Sequence, residues 1–195
     1  VVAFDHARKT FRNNIFEEYK GTRKPMPDEL RSQIEPLKKM LRLMDIQIVE
    51  KLGIEGDDVI GTIATQAKEK GHKTYILTGD KDSFQLIDKE GMIKVLIPSK
   101  GELVEYNWDK VYEKLGVYPN QVIDYKGLRG DTSDNIPGVA GIGEKTALSL
   151  IEQFGDVERL YERVEELKGK LKEKLVEDKD SAFLSKTLAT IKTDC

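Results

Sequence analysis

The sequence predicts an α/β fold in which a mostly parallel central sheet is flanked by helices and is followed by a helical C-terminal part. Three short apolar segments, at residues 1–5, 46–49 and 73–77, have the length and composition of buried strands. Residues 29–44 and 59–70, which separate these segments, show the apolar spacing of helices. Strands that alternate with helices are typical of right-handed crossovers and a parallel sheet.

The segments after the third strand predict a hairpin and then only helices. Residues 92–97 and 102–106 flank the turn sequence Pro98-Ser99-Lys100-Gly101, which is typical of a β-hairpin. Helical periods follow at 108–115, 121–125 and 145–154, and residues 180–191 predict a final helix or a helix plus a strand. We therefore expect an α/β core over residues 1–126 and a helical subdomain over residues 127–195.

Residues 156–176 carry an apolar stripe with helical spacing, formed by Leu160, Val164, Leu167, Leu171 and Leu175. Gly169 interrupts the stripe, so two packed helices are favoured over a coiled coil.

Composition indicates a protein of the cytoplasm. No apolar run approaches the roughly 20 residues of a membrane span, and the first residues lack the pattern of a signal peptide. The single cysteine, Cys195, excludes a disulfide framework and a thiolate metal site. The chain begins without methionine inside the apolar run Val1–Asp5, from which we expect an upstream segment to be missing.

Four separate segments place acids at a predicted strand end or turn. These acids are Asp5; Glu55, Asp57 and Asp58; Asp80 and Asp82; and Asp131 and Asp134. Ligands of parallel α/β sheets bind at the carboxyl edge of the strands, so we expect these acids to meet there. Two carboxylates about 4 Å apart repel each other by about 4 kcal/mol at an effective dielectric constant of about 20, so such a cluster needs cations.

The ligand set predicted for this cluster consists of oxygen atoms, because cysteine is absent from the cluster and the two histidines, His6 and His72, lie outside it. Oxygen ligands favour Mg²⁺ or Mn²⁺ over Zn²⁺. Two such ions about 3.5 to 4 Å apart activate a water and stabilise the leaving oxygen in phosphodiester hydrolysis. The alternative is that several acids are helix caps: Asp57 and Asp58 precede a helix, and Asp80 or Asp82 precedes the turn at 83–86.

Residues 8–24 form a basic segment that contains six basic and two acidic residues, with Phe11, Phe16 and Tyr19 interspersed among them. The basic residues are Arg8, Lys9, Arg12, Lys20, Arg23 and Lys24. This mixture suits phosphate contact combined with base stacking. The alternative is a solvated surface segment whose aromatic residues pack into the core.

Residues 130–147, GDTSDNIPGVAGIGEKTA, combine an acidic turn with glycines at 138, 141 and 143 and a helix start. Amide groups at such a helix start hold phosphates, although a glycine-rich turn before an ordinary helix is the simpler alternative. The stretch nearly matches a nucleotide-binding P-loop, but Glu144 is inserted before Lys145-Thr146 and moves the lysine about 100° around the helix.

The net charge of −3 does not exclude nucleic acid as a partner. The chain has 35 acidic and 32 basic residues. If the eight clustered acidic residues are left out of the count, 27 acidic residues remain against 32 basic residues. The remaining surface is therefore basic on balance.

Several motifs, taken together and in this order, resemble the 5' nuclease or flap endonuclease-like domain at the amino end of bacterial DNA polymerase I. They are Phe4-Asp5, Phe11-Arg12, Tyr19-Lys20-Gly21-Thr22-Arg23, Glu55-Gly56-Asp57-Asp58, Thr78-Gly79-Asp80-Lys81-Asp82, residues 130–138 and residues 141–147. The resemblance implies a PIN-like core with a C-terminal helix-hairpin-helix-like subdomain that binds DNA. It also implies a monomeric, nucleoid-associated two-metal nuclease of replication and repair, which removes 5' flaps and RNA primers and is joined to a polymerase domain.

The resemblance also implies roles for individual residues. Asp5, Glu55, Asp57 and Asp58 match one group of metal ligands, and Asp80, Asp82, Asp131 and Asp134 match the other. Lys20 and Arg23 match basic residues of a helical arch, at about residues 8–27, that take part in catalysis by positioning the scissile phosphate and stabilising its developing charge. Arg12 and Tyr19 match further DNA contacts. The set Gly138, Gly141, Gly143, Lys145 and Thr146 matches an element that grips duplex DNA, with a K⁺ ion held by main-chain carbonyls at the turn.

Two other functions remain open at this point. The family's first strand, with another metal-binding aspartate, should precede Val1, so the chain could bind DNA without turnover. A phosphatase of small phosphoesters also begins with a strand that ends in aspartate. That fold needs a second aspartate two positions later, where this sequence has Ala7.

Overall fold

The sheet of this protein is formed in two separate pieces. In the computed structural model, which describes all 195 residues, β1 (Val2–Ala3) pairs in parallel with β2 (Ile48–Val49). The second piece has β3 (Thr74–Leu77) parallel to β4 (Ile93–Ser99), which pairs antiparallel with β5 (Glu102–Tyr106). The predicted parallel pairings are present, but an apolar groove separates β1 from β3 and interrupts the expected single sheet.

Three helices belong to the N-terminal half: α1 (Phe11–Ile15), α2 (Asp28–Leu43) and α3 (Gly56–Glu69). Helix α2 matches the predicted helix, yet the side chains of Leu30, Met40 and Leu43 are 48 to 80% exposed. Helix α3 contacts both sheet pieces and buries Val59 and Ala64, of which Ala64 belongs to the main core.

The β4–β5 hairpin forms where the sequence predicts it. Strand β4 extends to Ser99, so only Lys100 and Gly101 form the turn, with φ of 50° and 85°. Two positive φ angles in a two-residue loop match the twist of the flanking strands. A 3₁₀ helix at Lys81–Leu86 connects β3 to β4.

The C-terminal half is helical, as the sequence predicts. It contains α4 (Trp108–Leu115), α5 (Val122–Arg129), α6 (Glu144–Phe154), α7 (Val157–Glu162), α8 (Gly169–Glu177) and α9 (Lys179–Ala189). Short 3₁₀ helices lie at Pro119–Gln121 and Val164–Glu166. Residues 156–176 are two helices, as Gly169 indicated, and the chain after α9 is irregular.

One continuous core joins the two predicted domains. A cluster of 22 buried residues runs from Ala64 and Val95 to Leu150 and Leu175. Helix α5 lies at its centre, packs along α9, and contains the boundary predicted between residues 126 and 127. The acids at the end of α5 are thereby fixed relative to those of the sheet. None of the helices has the length and apolar character required to cross a membrane.

Candidate functional site

The acids that follow β1 and precede α3 lie next to each other. Asp5 comes two residues after β1, and its Oδ1 accepts a hydrogen bond of 2.6 Å from the amide of Gly56. Glu55 is the N-cap residue of α3, and Asp57 lies in the first turn of that helix. The parallel β1–β2 pair and the start of α3 therefore bring two of the four predicted acidic segments together.

The carboxyl group of Asp57 has a raised pKa. Burial raises the pKa of its carboxyl group, the charges of Asp80, Asp5 and Glu55 raise it further, and Lys20 opposes them; the resulting pKa is about 6. The third segment, which follows β3, thus lies within electrostatic reach of the first two. Asp80 also caps the 3₁₀ helix at Lys81–Leu86 by accepting 2.9 Å from the amide of Asp82, which confirms the alternative of a capping role for this residue.

The basic segment after α1 reaches into the acids. The ammonium group of Lys20 lies 2.6 Å from Glu55 Oε2 and 3.9 Å from Asp134 Oδ2. Arg23 forms an ion pair with Asp134. The backbone of Lys20, at φ 55°, donates a hydrogen bond of 2.9 Å to the carbonyl of Asp134. Residues 20–23 therefore connect α3 to the loop that follows α5.

Asp82 and Asp131 share one basic partner, Lys126. Its ammonium group forms an ion pair with Asp82 and lies 2.6 Å from Asp131 Oδ2. Burial alone would raise the pKa of Asp131, but Lys126 and hydrogen bonds from Ser133 outweigh it and lower that pKa to about 2. Burial raises the pKa of Asp82, against the opposing effect of Lys126. Sequence reasoning missed Lys126, since a lysine near the end of a helix has no distinguishing pattern.

Arg12 and Asp58 lie in the interior and correct two predictions. Arg12 is 3% exposed and Asp58 is fully buried, and two hydrogen bonds of 2.7 Å join them. Arg12 also donates to the carbonyls of Leu188 and Thr190, and Asp58 accepts from the amides of Glu55 and Lys192. These partners occupy the groups that were expected to contact a phosphate and a metal ion, so both residues have a structural role here.

Tyr19 is a third residue that the structure places differently from the prediction. It is 4% exposed, and its hydroxyl lies 3.4 Å from both Glu55 Oε2 and Asp134 Oδ2. Its ring is packed against Ile136 and Leu188 and is not available for stacking on a base. The interpretation of the segment as partly core therefore holds for this aromatic residue.

The carboxylates of Asp5, Asp57 and Asp80 have no basic partner within 4.0 Å, unlike those of Glu55, Asp82, Asp131 and Asp134. No three His, Cys, Asp or Glu side chains are close enough together to form a ready metal cage, and His6 and His72 are exposed. Three unpaired carboxylates supply only oxygen donors, and this donor chemistry fits a hard divalent cation.

A cleft beside the unpaired carboxylate of Asp5 is lined by basic side chains. Arg8, Lys20, Arg23, Lys24 and Arg31 line it together with Asp5 and Glu55. Positive side chains next to carboxylates suit a phosphate backbone that crosses a metal site. Residues 8–27, predicted as a helical arch, contribute four of these five basic residues, but the structure forms only α1 and turns there, so the predicted helical character is not present.

The glycine-rich stretch forms a tight turn before α6. Gly138 has φ of 66°, its amide donates to Ser185 Oγ, and its carbonyl accepts from Ser181 Oγ. The carbonyl of Gly141 accepts a long contact of 3.5 Å from Lys174 Nζ. Gly143 is the exposed N-cap residue of α6, followed by exposed Lys145 and half-buried Thr146. The start of α6 is therefore open to solvent, as phosphate binding requires.

The whole chain is similar to known proteins in both sequence and structure. Residues 1–116 match the family described as 5'-3' exonuclease, N-terminal resolvase-like domain, and residues 117–195 match 5'-3' exonuclease, C-terminal SAM fold. DNA polymerase I of Caldicellulosiruptor bescii is 47% identical over 196 residues, which cover all of this chain and 23% of that protein. The chain therefore spans about a quarter of the length of this relative.

Two solved structures have the same fold. The T5 5'-exonuclease with bound zinc superposes with a TM-score of 0.80 at 26% identity, over 96% of this chain and 72% of that one. The catalytic core of Rad2 in complex with DNA substrate superposes with a TM-score of 0.58 at 17% identity, over 98% of this chain and 65% of that one. At that identity the Rad2 likeness concerns the fold alone.

Proposed function

The chain belongs to the 5'-3' exonuclease family, and on this basis we propose that it is a structure-specific 5' nuclease. It hydrolyses phosphodiester bonds of DNA, and of RNA primers paired with DNA, at 5' ends and flaps. One observation supports the assignment above all others: the unpaired carboxylate of Asp5 lines the basic cleft together with Lys20 and Arg23. The unpaired carboxylates of Asp57 and Asp80 line a second pocket, which shares Lys20 and Glu55 with that cleft.

The proposal includes two divalent cations, Mg²⁺ or Mn²⁺, which when bound activate the attacking water and stabilise the leaving oxygen. One ion would be held by Asp5, Asp57 and Glu55, and the second by Asp80, Asp82, Asp131 and Asp134. The divalent ions bound to T5 5'-exonuclease support this expectation. Asp58 is left out of the ligand set because Arg12 occupies its oxygens.

The basic residues of the chain supply the charge that the phosphate needs. Lys20 and Arg23 are paired with Glu55 and Asp134, and they would be free to contact the scissile phosphate if those acids held metal ions. They then orient the phosphate and stabilise the charge that develops on it. Their position between α3 and the loop after α5 places them over the acids.

Contacts away from the reacting bond orient the duplex. We assign phosphate binding to the open start of α6, with Gly143, Lys145 and Thr146, because amides and a lysine there face solvent. A K⁺ ion at the turn from Gly138 to Gly143 belongs to the same proposal. A monomeric state and a location in the bacterial cytoplasm belong to it as well. So does attachment to a polymerase domain, which the relative named DNA polymerase I supports.

The proposal is tested with a 5'-labelled flap duplex, in Mg²⁺, in Mn²⁺ and in chelator. We expect junction cleavage that chelator abolishes, and we expect Asp131→Ala to abolish cleavage while DNA binding remains measurable. Asp109→Ala, which removes an exposed acid on α4, is the matched control and should cleave normally. Normal cleavage by Asp131→Ala would contradict the proposal.

A second candidate is a DNA-binding module without turnover. It is favoured by the pairing of four acids with Lys20, Arg23 and Lys126, which leaves no ready metal cage. Salt-dependent binding of the flap duplex, with no cleavage in either metal, would establish this candidate in place of the first.

A further inference from the structure

Lys126 has an unusual position in the acidic site. Its side chain, 12% exposed, extends from α5 to two acids on different segments: Asp82 in the 3₁₀ helix after β3 and Asp131 in the loop after α5. The ammonium group lies 2.6 Å from Asp131 Oδ2 and forms an ion pair with Asp82 as well. It thus occupies the space between two carboxylates that the proposed function assigns to a divalent cation.

An ammonium group and a divalent cation cannot share this space. A Mg²⁺ ion lies about 2.1 Å from its oxygen ligands. An ion at that distance from both Asp82 and Asp131 would be in contact with the ammonium group, and like charges that close repel strongly in a partly buried site. Either the ion stays away from this pair of acids, or the ammonium group leaves.

We propose that Lys126 is an internal counter-cation, which neutralises Asp82 and Asp131 in the metal-free protein and is displaced when a divalent cation binds this pair. The inference rests on the proposed function and adds a positioning residue to it. Without metal, Lys126 holds the turn after β3 against the loop after α5. With metal, the ion takes over this link, and the flexible four-carbon stem of the lysine lets its charge move toward solvent.

The displacement has a measurable consequence for metal affinity. The free energy lost when Lys126 leaves its two partners lowers the net affinity for the divalent ion. Removal of the charge should therefore raise the affinity for Mn²⁺ at this pair by tenfold or more, and should lower the stability of the protein only when metal is absent.

The chain contains a matched control. Lys186 also bridges two acids, at 2.6 Å from Asp124 and 2.5 Å from Glu158, and its side chain is 18% exposed. Its partners lie on α5 and α7, outside the acidic site. Lys186→Met removes an equivalent ion-pair network and leaves the acids of the proposed metal site untouched.

The experiment compares Lys126→Met, Lys186→Met and the unmodified protein by thermal denaturation in chelator and in saturating Mn²⁺, and by calorimetric titration with Mn²⁺. We expect both variants to melt below the unmodified protein in chelator. In Mn²⁺ only Lys126→Met should recover, and only Lys126→Met should bind Mn²⁺ more tightly.

Two results would overturn the inference, and they differ in what they say about the proposed function. If the unmodified protein binds Mn²⁺ and Lys126→Met binds it no more tightly, with equal destabilisation in both conditions, Lys126 is only a structural ion pair. If no protein binds Mn²⁺, the proposed metal site fails together with the inference.

A measurement on the unmodified protein keeps the test independent of whether the variant folds. Nitrogen NMR resolves an ammonium group held in an ion pair from one that is free in solvent. We expect Mg²⁺ to release the Lys126 signal and to leave the Lys186 signal unchanged. A Lys126 signal that is unaffected by saturating Mg²⁺ would also overturn the inference.

Discussion

The guanidinium group of Arg12 and the carboxylate of Asp58 form two parallel hydrogen bonds of 2.7 Å in a place that solvent does not reach. The pair joins α1 to α3. The same two side chains bind the backbone near the end of the chain: Arg12 donates to the carbonyls of Leu188 and Thr190, and Asp58 accepts from the amide of Lys192. This ion pair therefore attaches the end of the chain to the start of α3, one turn from Glu55.

The first prediction concerns the stability that this pair supplies. Arg12→Met leaves Asp58 buried without its partner, and breaking a buried ion pair in this way costs about 3 to 5 kcal/mol of the free energy of unfolding. We expect a loss of this size in urea denaturation at pH 7. The control is Arg163→Met, which removes a fork of hydrogen bonds to Glu166 on the exposed surface and should leave the midpoint unchanged. Equal behaviour of the two variants would contradict the prediction.

The misassignment of Arg12 shows what local sequence can and cannot reveal. The segment from Arg8 to Lys24 has a strongly basic composition, and the structure places Lys20 and Arg23 of this segment beside the acids. Nothing in the local pattern separates these bases from Arg12, whose partners lie 46 and more than 170 residues away in sequence. Such pairing is decided by tertiary packing, which the spacing of one segment does not encode.

The same distinction applies to the fold. The β4–β5 hairpin and the helix break at Gly169 are local properties of the backbone, and the sequence predicted both, although it placed the turn at residues 98–101 and the structure confines it to Lys100-Gly101. The division of the sheet into two pieces depends on how β1 and β3 lie relative to each other, and no short pattern reports that relation. The meeting of the acids was predictable because strand ends gather at one edge, whereas their pairing with Lys126 was not.

A second prediction follows from the raised pKa of Asp57. Its value of about 6 in the folded protein lies above the ordinary 3.8, so the folded state binds the proton more tightly than the unfolded state. The resulting stabilisation is complete below about pH 4 and is lost as the pH rises through 6, by up to about 3 kcal/mol. In chelator, we expect Asp57→Asn to remove this decline from urea denaturation measured between pH 4 and 7. Asp109→Asn should retain it, and parallel curves for all three proteins would refute the assignment.

A third prediction contrasts two glycines of the same turn. A side chain at Gly138 would place its Cβ 2.3 Å from the amide nitrogen of Gly130, at φ of 66°. The left-handed conformation alone costs about 1 to 2 kcal/mol, and the backbone contact adds to it. Gly138→Ala should therefore lower the melting temperature clearly. Gly143, with φ of −91° and no neighbour within 4 Å of a Cβ, should accept serine, a preferred N-cap residue, without loss. A Gly138→Ala protein as stable as Gly143→Ser would show that the turn relaxes freely.

The last prediction separates catalysis from binding at Lys20. Its ammonium group lies 2.6 Å from Glu55 and 3.9 Å from Asp134, on the wall of the basic cleft, where it can stabilise charge that develops on the scissile phosphate. Loss of one such group costs about 100- to 1,000-fold in the rate of the chemical step. We expect Lys20→Met to lower the single-turnover rate of flap cleavage at saturating enzyme by this factor and to change the Kd for the flap duplex only a few-fold, because the charge acts mainly in the transition state. Lys39→Met, on the exposed surface of α2, is the control and should leave the rate and the Kd unaltered. A weakened Kd with an unchanged saturated rate would assign Lys20 to ground-state binding of the DNA and would remove it from the proposed chemistry.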